Sequence, residues 1–129
     1  IEMDILSLHD FPHILEPKET GSSFEENAKI KSSYGYEITK LPCFADDSGI
    51  CIGALDYFPG VESKRFLEKF SNNEKAFEYI ISNVVKKKNN KAFFVTAIIW
   101  AIPSPKLSAW NPLIFVYTKR TLIVKKNVN

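Results

Sequence analysis

The sequence predicts an α/β domain, a mixed sheet with flanking helices. Three observations predict it. Two segments, residues 24–40 and 73–88, repeat apolar side chains at helical spacing. The stretch from Ala92 to Ile102 is dense in β-branched and aromatic residues. A second apolar region, opened by Pro42, holds Cys43 to Ala45 and Ile50 to Ile52 on either side of a polar tetrapeptide.

Element by element, Met3 to Leu8 alternates well enough for a short strand, and Asp10 to Gly21, with Pro12 and Pro17, reads as a loop. Ser22 and Ser23 each stand three residues before a glutamate, the spacing of a capping box, so a helix starts at about Phe24 and runs to Lys40. Phe24, Ala28, Tyr34, Ile38 and Leu41 give it an inward stripe; Gly35 weakens it without ending it. Cys43 to Ile52 then reads as strand, polar turn, strand, the turn being Asp46-Asp47-Ser48-Gly49. Asp56 to Gly60 is a loop, and a short helix follows at 63–70. The helix at 73–88 shows Phe77, Ile80, Ile81, Val84 and Val85 on one face, and Lys86 to Lys88 suit the negative end of its dipole. Ala92 to Ile102 is continuous enough to be a strand buried on both faces. Beyond it three prolines break the chain, and Leu113–Tyr117 with Thr121–Val124 suggest a hairpin about Lys119-Arg120.

At 129 residues and 45% apolar, the chain is one domain with enough material for a core. Charge is divided along it. All fifteen acidic residues lie up to Glu78, with eight Lys/Arg, a balance of −7. The last 51 residues carry nine Lys/Arg and no acid, +9. Cys43 and Cys51 lack metal-ligand spacing and read as reduced thiols of a cytoplasmic protein. The longest apolar run, Ala92 to Pro103, falls short of the ~20 residues of a membrane span, and no leader pattern opens the chain.

Asp46 and Asp47 ask for a chemical reason. Adjacent carboxylates are costly if buried unpaired; at a strand end they can share a Mg²⁺, which takes oxygen ligands and keeps water and phosphate in its shell. An ordinary Asx-type turn is the plainer alternative. Asn27 and Lys31, four residues apart, share a helix face close to Glu19, an arrangement suited to clamping a polyphosphate; a solvated lysine is the alternative there.

Three motifs stand in order: Glu19-Thr20-Gly21-x-x-Phe24-x-Glu26-Asn27-Ala28-x-x-Lys31, Ala45-Asp46-Asp47-Ser48-Gly49-Ile50, and Pro59-Gly60-Val61-x-Ser63-x-Arg65-Phe66. Together they resemble the inosine triphosphate pyrophosphatase family over about residues 1–99. The resemblance implies hydrolysis of ITP, dITP or XTP to monophosphate and pyrophosphate with Mg²⁺, on an incomplete version of that fold, and a homodimer as in relatives. It assigns Asp47 to metal binding and to activation of the attacking water. It assigns Glu19 and Asp46 to the metal, and Ser48 and Lys31 to the substrate. The family's Ser/Thr-Gly-Asn-x-x-Lys, Phe-Gly-Tyr-Asp-Pro and Ser-His-Arg segments do not occur in this sequence, and Lys18 and Lys64 replace commoner residues. Residues 1–102 are therefore expected to form a partial pyrophosphatase domain with impaired or lost activity. Residues 103–129 are expected to be a divergent basic tail of the composition a shifted reading frame would give. An inactive remnant, or a nucleic-acid or interaction module using that tail, is the alternative; the scattering of its charges among apolar residues speaks against nucleic acid.

Overall fold

The computed structural model describes residues 4–102 and the backbone of residues 111–123. Three strands, β1 (Cys43–Ile52), β2 (Lys91–Ile102) and β3 (Asn111–Ile123), form one sheet in the order β1-β2-β3. Helix α1 (Phe24–Thr39) precedes β1; α2 (Ser63–Glu68) and α3 (Asn73–Lys87) lie between β1 and β2. The α/β expectation holds, and both described ladders are antiparallel rather than mixed.

Several expectations are corrected. Among the described residues ahead of Ser7 there is no strand: Ser7 instead caps a single 3-10 turn, Leu8–Asp10, through reciprocal bonds with Asp10. The polar tetrapeptide is no turn. β1 passes straight through it, pairing Asp46 with Ile98, Asp47 with Ala97 and Ser48 with Thr96. The carboxylates are tolerated because alternation sends one to solvent and the other to polar partners on α1. The hairpin expected about Lys119-Arg120 is a single strand, β3, which pairs with β2 through both residues. The rest of the basic tail, 103–110 and 124–129, lies outside the described residues.

Alternation gives the sheet two faces. On the first, Phe24 and Ala28 of α1 pack on Val95, Ala97 and Ile99, with Cys51, Val61 and Phe93 at the margin. The inward side of α1 is Phe24, Asn27, Ala28 and Ser32; Ile38 and Leu41, placed inward by apolarity alone, are exposed. On the second face, α3 covers only one end, where Val84 and Ile80 meet Ile50, Ile52, Ala54 and Leu55. Farther along that face Phe44 is 51% and Phe94 43% exposed, so β2 is buried on one side and not on both. Phe77, Ile81 and Val85 of α3 are likewise exposed, and its buried positions are Ala76 and Val84.

Candidate active site

Asp47 sits mid-strand on the face turned toward α1 and is 7% exposed. Two residues one helical turn apart on α1 meet it. The Asn27 Nδ2 donates to Asp47 Oδ2 at 3.1 Å, and Lys31 Nζ donates to Asp47 Oδ1 at 3.3 Å. Lys31 also pairs with Glu19 Oε1 at 3.1 Å, so one ammonium joins two carboxylates.

The local fold explains each position. Ser23 caps α1, accepting from the Glu26 N–H at 3.1 Å, and this sets the helix phase that turns Asn27 and Lys31 to the sheet. The Glu26 carboxylate accepts from the N–H of Ser22 at 2.6 Å, so the capping pair is shared between the two serines. The loop carrying Glu19 is held from two sides. Arg65 Nη2 of α2 donates to the Glu19 carbonyl at 2.9 Å, and the Gly21 N–H donates to Asn27 Oδ1 at 2.8 Å. Behind Asp47, β1 runs so close to the turn before α2 that a Cβ on Gly49 would collide with the Gly60 carbonyl and lie 2.7 Å from Ser63 Oγ. Ser63 Oγ uses that space to accept from the Ile50 N–H at 3.0 Å and donate to the Gly60 carbonyl.

Charge follows the geometry. Burial pushes the Asp47 carboxyl above its ordinary value, against donation from Asn27 and the charge of Lys31. For Lys31 burial also opposes charge. Its hydrogen bond to Glu19 and the charge of Asp47 outweigh that, and the ammonium titrates above the ordinary lysine value.

Of the residues picked out from sequence, Glu19, Lys31 and Asp47 converge; Asp46 and Ser48 do not. Both belong to the second face, where Ser48 Oγ lies 3.0 Å from Asp46 Oδ2 and 3.0 Å from Thr96 Oγ1. Of the five residues expected in one pocket, three thus come together. Asn27 takes the fourth place, and Arg65 braces the loop. Neither contact has a signal in spacing, since the partners lie 20 and 46 residues away. A shallow hollow bounded by Thr20, Gly21, Glu26, Lys29, Ile30 and Ser33 lies beside the group without including its charged members.

Two carboxylate oxygens converging on a cation are a donor set that fits a hard divalent ion. Among the described residues no set of three His, Cys, Asp or Glu side chains is placed to hold a metal, so an ion here would fill its shell with water or phosphate, the usual habit of Mg²⁺.

Known proteins resemble this chain in sequence and in fold. A dITP/XTP pyrophosphatase of Leptospira interrogans is 39% identical over 106 residues, 82% of this chain and 54% of that protein. One of Bacillus anthracis is 38% identical over 104 residues, 79% of this chain and 52% of that protein. The chain thus spans about half the length of the curated relatives it matches. Among solved structures, a HAM1 protein of Coxiella burnetii superposes with a TM-score of 0.79 at 26% identity, covering 96% of this chain and 61% of that one. A nucleoside-triphosphatase, or dITP/XTP pyrophosphatase, of Mycobacterium abscessus gives 0.74 at 30% identity, covering 94% and 61%. The family model for the Ham1 family matches residues 1–120. The chain belongs to the Ham1 family.

Proposed function

We propose that this chain supplies the metal- and phosphate-binding side of an enzyme that hydrolyses non-canonical purine nucleoside triphosphates, ITP, dITP or XTP, to monophosphate and pyrophosphate. The observation that carries this reading is the joining of Glu19 and Asp47 through Lys31 on a buried sheet face. Glu19 and Asp47 would hold Mg²⁺, which when bound offsets phosphate charge and acidifies a coordinated water. Asp47, desolvated and more basic than an exposed aspartate, takes a proton from the attacking water. Lys31, kept charged by its two carboxylates, offers its ammonium to phosphate oxygens. Asp46 and Ser48, on the other face, take no part.

Turnover by the 129-residue chain is expected to lie at least ~10³-fold below that of a relative with the full motif set. The three family segments missing from the sequence would contribute several phosphate and base contacts, and one lost preorganised donor alone costs ~10²–10³ in rate. The test is release of pyrophosphate, and not of orthophosphate, from ITP, dITP and XTP against ATP and GTP, with Mn²⁺ binding measured in parallel. The expected result is slow, Mg²⁺-dependent pyrophosphate release that Asp47→Asn abolishes. No hydrolysis together with no Mn²⁺ binding overturns the reading, and a rate within tenfold of the full relative overturns the impairment.

A further inference from the structure

Asn27 is the most deeply placed polar side chain beside the carboxylates, 1% exposed, and its amide is used at both ends. Its Oδ1 accepts from the Gly21 N–H at 2.8 Å and its Nδ2 donates to Asp47 Oδ2 at 3.1 Å. The orientation is forced: an N–H requires the oxygen and a carboxylate requires the NH₂ group, so the reversed amide would oppose both partners. The approach of the loop is equally constrained, because a Cβ on Gly21 would lie 2.6 Å from Asn27 Oδ1. Gly21 is two residues beyond Glu19. The amide therefore spans the two chain segments that carry the two carboxylates, one bond to each.

We propose that Asn27 is a positioning residue that sets the separation of Glu19 and Asp47, touching neither substrate nor metal itself. Lys31 cannot do this alone. Its ammonium sits on a long flexible stem, and it joins the carboxylates by charge, a bond that tolerates wide changes of angle. The Asn27 amide is planar, short-stemmed and buried, and its two bonds fix direction as well as distance. Arg65, bonded to the Glu19 carbonyl from the exposed side, steadies the same loop but makes no bond to Asp47. Groups that orient metal-binding side chains typically matter 10- to 100-fold in metal affinity.

The proposal rests on the reading of Glu19 and Asp47 as metal ligands, and the test separates the two. Mn²⁺ affinity is measured on the full chain for wild type, Asn27→Leu (the same number and branching of heavy atoms, neither hydrogen bond) and Glu16→Gln, an exposed carboxylate of the same loop. Amide exchange at Gly21 is followed in each. Asn27→Leu is expected to weaken Mn²⁺ binding 10- to 100-fold and to speed Gly21 exchange, with Glu16→Gln like wild type. Affinity within twofold of wild type in Asn27→Leu overturns the proposal. Should Asn27→Leu not fold, Asp47→Ala gives the complementary reading: it removes the anchor of the Asn27 NH₂ and should speed exchange at Gly21, which Asp47 does not touch. Unchanged Gly21 exchange there overturns the proposal. If wild type binds no Mn²⁺, the metal reading falls, and Gly21 exchange in the same variants still decides whether the amide couples the two segments.

Discussion

Asp47 weakens the fold it sits in. Its carboxyl, raised by burial, keeps a proton in the folded chain at pH values where the unfolded chain has released it. The sign follows from linkage: its contribution is fully present below the ordinary aspartate value and is lost as pH rises through the raised one. Lys31 works in the opposite range, contributing stability below the ordinary lysine value and losing it only as pH climbs through a still higher one. At neutral pH the chain therefore carries a desolvated carboxylate that its two polar partners, Asn27 and Lys31, only partly compensate. Asp47→Asn keeps an acceptor for Asn27 and removes the charge. It is expected to raise stability at pH 7 by about 0.5–1 kcal/mol, the usual reward for relieving a functional site, a few degrees in Tm. Thermal melts at pH 7 and pH 4 check this: the gain should shrink at the lower pH, and a lower Tm at pH 7 would mean that pairing outweighs burial.

At the level of elements, α1 was the most legible part of the sequence and β1 the least. Two serines ahead of two glutamates mark the start of α1 to the residue, because capping is a local bond between neighbours in the chain. Its inward face was harder, since apolarity pointed to Ile38 and Leu41 whereas the helix buries Asn27 and Ser32. In β1, Asp-Asp-Ser-Gly has turn composition, and only partners far along the chain turn it into strand: Asn27 and Lys31 on one side, Thr96 on the other. That is also why the sequence places Asp46 and Ser48 in one pocket with Asp47, when strand alternation divides the doublet. The cap of α1 holds Asn27 and Lys31 in phase, so its loss should register in stability. Ser23→Ala is expected to cost about 1 kcal/mol in urea denaturation, within the 0.5–2 kcal/mol range of such caps. A change below ~0.3 kcal/mol would show that packing of Phe24 alone fixes the helix start.

Over the whole molecule the two faces of the sheet are chemically unlike. One is sealed by α1 and holds the ion-paired group; the other is covered by α3 at the Ile52 end and elsewhere presents Phe44, stacked on Trp100 at 4.9 Å, and Phe94. The sequence marked β2 as apolar throughout, which left the two faces indistinguishable until pairing with β1 set the register. Exposed aromatic side chains such as Phe44 and Phe94 favour self-association. Phe94→Lys should reduce concentration-dependent association in sedimentation velocity at a stability change within about 0.5 kcal/mol, as for most exposed positions; unaltered association would place the sticky surface elsewhere. The narrow gap at Gly49 bears on which aspartate ends up on the sealed side. Sliding β1 by one residue would trade Asp47 for its twin, but it would also push Ser48 against the Gly60 carbonyl, where no side chain fits. A residue with nothing to offer chemically thus acts as the key that tells two identical acids apart.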